Sequence, residues 1–307
     1  MQTAVAAIRG AQESGIFQLL SERQHSAIEL AERTGLTTTT IENLCRVLTA
    51  IGVLEQYGDD YALSQSTSLQ MQGDPQFNAY LHSDVESYLA NRQAADSFEE
   101  FRHRLATRQW SCSAAARQAA SVIETAKLDR PLQLLELGCL AGVWSAALAF
   151  NDKSLEVTSV DIEPMHARAR HTFQAIELVT QRREVVADFR HYEPELAAYD
   201  FVLLAEGLQL QDDPNAVILL GRCADALRQG GEIIIVEHVL ESEEGQDLSI
   251  ASQALEVGMA SKGKLRTVSE IQQLLTGAGF QSARWAPLNA DDQGLAIIVA
   301  QRNDSLT

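Results

Sequence analysis

From Pro131 to Leu240 short apolar runs alternate with helical patterns, and no other feature of the 307-residue chain constrains its fold as strongly. LQLLELG, LEVTSVDI, REVVADF, YDFVLLAE and EIIIVEHVL each read as a buried strand. VWSAALAF, the stretch from Pro164, and the stretch holding Val217, Leu219, Leu220 and Ala224 read as intervening helices. Such alternation implies an α/β protein with a parallel, doubly wound sheet. The end of the chain departs from it. Thr267 and Glu270 are placed to cap a helix, TVSEIQQLLTGAGF, which stops at Gly277 and Gly279. QSARWAPL and GLAIIVAQR follow as two strands with no helix between them. A parallel crossover needs a dozen or more residues, so the last strand is expected to run antiparallel to its neighbour.

Residues 1–65 read as helices followed by a hairpin: AVAAIRGAQESGIFQLL, broken near Gly15, then SAIELAERTG, then TIENLCRVLTAIG, with VLEQYGDDYALS turning at Gly-Asp-Asp. Thr39 and Glu42 form the expected capping box of the third helix. The order suggests a winged helix. DNA binding is disfavoured, because this segment carries four basic residues (Arg9, Arg23, Arg33, Arg46) against eight acids. Packing or dimerisation suits it better. Residues 66–128 read as a mostly helical connector and pocket lining, with His82, His103 and Trp110 as candidates, and 129–307 as the α/β domain. A net charge of −18 argues against nucleic acid or an anionic membrane as partner. No apolar run reaches the length of a membrane span, and no basic leader precedes an apolar stretch. Cys45, Cys112, Cys139 and Cys223 include no C-x-x-C pair, so neither a metal site nor a disulfide framework is expected, and a cytoplasmic protein with reduced thiols is.

The ligand of such a sheet lies at the carboxyl ends of its strands. Strand one ends at Glu136-Leu137-Gly138, strand two at Asp161, strand three at Asp188-Phe189 and strand four at Ala205-Glu206. Asp161 follows Gly142 by 19 residues, the spacing of an acid that accepts both hydroxyls of a ribose. Asp188 is placed to accept from an adenine amino group, and Phe189 to lie against the ring. In LLELGCLAG the middle glycine of a phosphate loop is replaced by Leu140. A pyrophosphate needs that glycine for close backbone approach, so NAD and ATP are disfavoured and a nucleoside without phosphates is favoured. S-adenosylmethionine is one, its amino-acid end meeting Glu136 and the Gly138 backbone.

GIFQLL, SAIELAERTGL, RVLTAIGVLEQYGDDYALS, LLELGCLAG, SVDIEP, ADF, EIIIVEHVLE and GKLRTVSEIQQLLTGAGF together resemble the small-molecule O-methyltransferases that join a winged-helix dimerisation domain to a class I, Rossmann-like S-adenosylmethionine domain. The resemblance spans nearly the whole chain. It implies a homodimer, S-adenosylmethionine held by Glu136, Gly138, Gly142, Asp161, Asp188, Phe189 and Ala205, and a secondary-metabolite-like acceptor. In that family a histidine after strand four deprotonates an acceptor hydroxyl; here GLQLQDD puts Gln209 in its place, and GKLRT puts Leu265 where an acid is usual. An amide is no general base. Either the acceptor arrives nucleophilic and is methylated by alignment, with Gln209 positioning it, or another group such as His238 or Glu206 serves as base. Glu237 remains as the flanking acid. The alternatives are a cofactor-binding enzyme that moves no methyl, cyclase-like, and a winged-helix regulator.

Overall fold

The computed structural model describes residues 2–64, 67–68, 98–123, 130–240, 248–288 and 294–303. Contacts divide the chain into two compact units, residues 1–97 with 241–264 and residues 98–240 with 265–307. This grouping differs from three consecutive segments: the described part of the connector, from Phe98 on, packs with the α/β unit, and a late helix packs with the N-terminal one. His82 lies outside the described residues, as do most of 66–97.

The first unit contains α1 (Gln2–Glu13), α2 (Ile16–Glu22), β1 (His25–Ser26), α3 (Ala27–Thr34), α4 (Thr38–Ala50), β2 (Leu54–Tyr57), β3 (Asp60–Leu63) and α10 (Leu248–Ala260). Gly15, at φ +79°, separates α1 from α2 where the break is expected. The strands form an antiparallel sheet in the order β1-β3-β2, with Tyr57 opposite Asp60 across a two-residue turn. The third helix begins differently from the expectation. Thr37, rather than Thr39, is its N-cap, its hydroxyl accepting from the Thr40 N–H. The capping box of this unit belongs to Ser26 and Glu29 on α3. Ile16, Leu30, Ile41, Leu44, Val47 and Leu48 form the core together with Ala251 and Leu255 of α10. Asn43 donates from Nδ2 to the Ala254 carbonyl at 3.1 Å.

The second unit runs α5 (Phe98–Gln109), α6 (Ser113–Val122), β4 (Leu132–Leu137), α7 (Val143–Asn151), β5 (Leu155–Asp161), α8 (Glu163–Ala175), β6 (Arg182–Val186), β7 (Tyr199–Ala205), α9 (Asp213–Ala226), β8 (Leu227–Leu240), β9 (Arg266–Thr267), α11 (Val268–Gly277), β10 (Phe280–Pro287) and β11 (Leu295–Arg302). The sheet order is β10-β11-β8-β7-β4-β5-β6. β6, β5, β4, β7 and β8 are mutually parallel. β11 inserts between β8 and β10 and is antiparallel to both, the reversal expected from the missing crossover. The capping box of Thr267 and Glu270 is present. Gly230-Gly231, expected to break the chain before strand five, lies inside one continuous strand, with a register irregularity between Tyr199 and Phe201 on the neighbour. A Cβ on Gly231 would stand 3.0 Å from the carbonyl oxygens of Arg228 and Asp200; the glycine is there to let two backbones approach. Among the described residues no helix is long and apolar enough to cross a membrane.

Candidate functional site

Parallel register brings the ends of β4, β5, β6 and β7 to one edge. Leu137 pairs with Val160, Asp161 with Val186, and Glu136 with Leu203. Asp161 closes β5 itself, whereas Asp188 and Phe189 follow the end of β6 by two and three residues. Ala205, buried, closes β7.

The loop after β4 turns through Gly138 at φ +80°, Leu140 at φ +52° and Gly142 at φ +67°. Gly138 lies under Phe189, whose ring carbons would be 3.3 Å from an added Cβ. Gly142 caps α7 against α8, where a Cβ would meet that of Ala169 at 2.9 Å. Leu140 adopts the left-handed conformation that a glycine would take freely, at a cost of about 1–2 kcal/mol. That conformation aims its N–H at Asp161 Oδ2, 3.2 Å away, and its side chain is buried.

Asp161 is 0% exposed, and its carboxylate receives four donors. Ile162 N–H reaches Oδ1 at 2.7 Å, Leu140 N–H reaches Oδ2, and the Arg102 guanidinium spans both oxygens at 2.8 and 2.6 Å. Arg102 comes from α5, is 3% exposed, and places its guanidinium carbon 5.0 Å from the centre of the Phe189 ring. Asp188 is engaged by the Arg190 side chain and N–H and by His191 Nδ1. Burial pushes its carboxyl upward, but these donors outweigh it and hold the group down at about 2. Glu136 is buried, accepts from Ser159 Oγ at 2.7 Å, and is raised above the usual carboxylate range by burial.

A second cluster sits at the ends of β7 and β8. Glu237 accepts at one oxygen from the backbone N–H groups of Leu208 and Gln209, at 2.7 and 3.2 Å. Its other oxygen has no partner among the described residues. Burial raises Glu237 to about 8, against the pull of the Gln209 and Leu208 donors. Gln209 is not a surface residue: it is 2% exposed, and both amide atoms lack a hydrogen-bond partner among the described residues. His238 Nδ1 stands 3.8 Å from Glu206 Oε1, which also takes Arg108. Leu265, where the resemblance places an acid, is buried apolar core. Its neighbour Arg266 clamps the loop, donating to the carbonyls of Leu208 and Gln211 and to Asp213.

Of the connector candidates, His103 lies 3.9 Å from Glu99 and is one-third exposed. Trp110 is exposed and donates to Thr172 Oγ1. Three residues that engage this edge carry no signal in the sequence. Arg102, Gln109 and Arg108 sit in a helix that reads as an ordinary amphipathic face. Gln109 Oε1 accepts from the N–H groups of Ala141 and Val143 in the glycine loop, at 3.0 and 3.3 Å. Arg266 had a signal, its place in GKLRT beside Leu265.

A mostly parallel sheet with one inserted antiparallel strand, and acids on successive strand ends, defines the class: a class I methyltransferase fold. A family profile described as O-methyltransferase domain matches residues 88–281, and the chain belongs to that family. It is 25% identical over 309 residues to the 3-hydroxy-5-methyl-1-naphthoate 3-O-methyltransferase of Streptomyces sahachiroi, covering 92% of this chain and 86% of that one. Over 152 residues, 49% of this chain and 40% of the other, it is 29% identical to the aclacinomycin 10-hydroxylase RdmB of Streptomyces purpurascens. Among solved structures, an O-methyltransferase family 2 protein from Planctomyces limnophilus in complex with apigenin superposes with a TM-score of 0.80 at 19% identity, over 98% of this chain and 93% of that chain.

The residue types at the edge fit S-adenosylmethionine. A buried carboxylate, Asp161, with an acid and an aromatic ring, Asp188 and Phe189, at the same edge are residue types suited to a nucleoside's hydroxyls, amino group and base, and no Lys or Arg belongs to the glycine loop itself. In the conformation described, however, Asp161 is saturated by protein donors.

Proposed function

We propose that the protein transfers the methyl group of S-adenosylmethionine to a small-molecule, secondary-metabolite-like acceptor, chiefly by alignment. The observation that carries this reading is the convergence of Asp161, Asp188 and Phe189 on one sheet edge beside the Gly138–Gly142 loop. When bound, S-adenosylmethionine supplies an electrophilic methyl group on a sulfonium. Asp161 accepts from the ribose hydroxyls, Asp188 from the adenine amino group, and Phe189 covers the ring. Glu136, Gly138, Gly142 and Ala205 shape the amino-acid end.

On the acceptor side, Gln209 offers a donor NH2 group and an acceptor oxygen, both buried and unmatched among the described residues. Leaving such atoms unsatisfied costs about 1–3 kcal/mol each, so an acceptor that meets them is held in a defined pose. Glu237, kept neutral by burial near pH 7, adds a hydroxyl donor. Neither side chain is a free base at that pH, which favours acceptors that arrive nucleophilic: amines, thiolates, or stabilised phenolates. Holding the two reactants in line supplies the larger part of the acceleration. The resemblance extends the proposal to a homodimer formed through the N-terminal module. The four cysteines, free and buried, are consistent with a cytoplasmic setting.

Titration with S-adenosylhomocysteine, the demethylated product, tests the reading. Heat of binding is expected, and Asp161→Ala made together with Arg102→Ala, so that no guanidinium competes for the carboxylate, should weaken it at least tenfold relative to Arg102→Ala alone through loss of hydrogen bonds to a charged acceptor. No binding at millimolar concentration removes the proposal. A second reading, a cofactor-retaining enzyme that moves no methyl, gains weight from the amide at the base position and from the relative named as a hydroxylase. It requires turnover without accumulation of the demethylated product.

A further inference from the structure

Helix α5 engages the groups through which a nucleoside would be held. Arg102 takes both oxygens of Asp161 and lays its guanidinium over Phe189. Seven residues on, Gln109 takes two N–H groups of the glycine loop. At the start of the helix Phe98 lies under the Arg190 guanidinium, 4.1 Å from its ring centre, while Arg190 holds Asp188.

We infer that α5 is an internal occupant of the cofactor site, with Arg102 as a latch that S-adenosylmethionine must displace. The two occupants share a pair of donors and a flat face. A guanidinium presents two parallel N–H donors to a carboxylate, as a vicinal diol presents two O–H donors. Its flat face stacks on an aromatic ring, as adenine does. A carboxylate has about four lone-pair sites, and Asp161 already receives four donors, two of them from backbone that does not move with α5. A ribose therefore gains its two hydrogen bonds only when Arg102 gives up its own. Both partners of the pair are buried, so the latch is held without water to screen it. Apparent cofactor affinity is the intrinsic affinity reduced by the fraction of molecules with the latch open. Arg102 thus sets the concentration at which the enzyme fills. The inference rests on the reading of Asp161 as the ribose acceptor.

Two measurements test it, both with S-adenosylhomocysteine as probe. In calorimetric titration, Arg102→Ala is expected to bind at least tenfold more tightly than the unmodified protein. In hydrogen exchange on the unmodified protein, saturating probe is expected to speed exchange of the amides of residues 98–109, because displacing Arg102 loosens the helix. This second measurement stands even where Arg102→Ala, which strands a buried carboxylate, fails to fold. Equal or weaker binding by Arg102→Ala overturns the latch and leaves the functional proposal in place, as does slower exchange of 98–109 on binding. Absence of binding in both proteins at millimolar probe overturns the latch together with the reading of Asp161.

Discussion

Histidine in place of Gln209 would return an imidazole to the loop after β7, beside Glu237 and at the same depth. General-base catalysis of a hydroxyl acceptor is worth about 10²–10⁴-fold. Gln209→His is therefore expected to raise kcat/KM for phenol or alcohol acceptors by on the order of 100-fold and to leave amine acceptors little changed. Initial rates between pH 6 and 9 should show a new rise near neutrality for the variant alone. Unchanged rates on hydroxyl acceptors would mean that another group already removes the proton. Glu237 makes a separate prediction about stability. Its folded-state value of about 8 lies above the ordinary carboxyl value of 4.5. The native protein thus binds the extra proton, and Glu237's contribution is complete below pH 4.5 and declines as pH rises through 8. Urea midpoints measured from pH 5 to 8.5 should fall with a shallower slope in Glu237→Gln, which mimics the neutral acid, than in the unmodified protein. Identical slopes would show that the carboxyl is ionised in the fold.

At the level of elements, the turn from β4 into α7 carries the tightest backbone constraint. Gly142 combines φ +67° with a would-be Cβ at 2.9 Å from Ala169. Gly35 has a similar φ of +75° but open space around it. Strain alone costs about 1–2 kcal/mol, and forcing α8 away adds about 1–3 kcal/mol. Gly142→Ala should consequently lower stability by about 2 kcal/mol or more beyond Gly35→Ala, since only it adds overpacking. Chemical denaturation of the two variants compares them directly, and equal midpoints would remove the packing role. The helix starts illustrate what is legible locally. Thr267 and Glu270 stand at capping-box spacing at the start of α11, and the box forms there. Before α4 the run Thr37-Thr38-Thr39-Thr40 offers several equivalent hydroxyls. The start then follows the packing of Ile41, Leu44, Val47 and Leu48, and Thr37 becomes the cap. Gly230-Gly231 misleads in the same way: two glycines read as a break, yet neighbouring strands and a close backbone approach hold them in β8.

For the whole molecule, the seven longer strands of the α/β unit, the parallel direction of its central strands and the antiparallel last strand were legible, because side-chain periodicity and connection length are local properties that a sheet must obey; the two-residue strands β1 and β9 were not. The acids at the strand ends were legible too, since a parallel sheet carries every such end to one edge. Which segments share a core was not. α10, late in the chain, packs with helices near its start, and α5 joins the α/β unit instead of a separate connector. Such pairings depend on shape complementarity between faces that are separately unremarkable. The same limit applies to the site. Sequence alone determined that Asp161 would stand at the edge with Asp188 and Phe189, because its place at the end of a strand dictates where its side chain begins. Only tertiary structure decided that Arg102, 59 residues earlier, would take that carboxylate, and that Gln109 would take the loop beside it. A buried charge must find a partner from whichever element the fold brings near, and no local pattern encodes which one arrives.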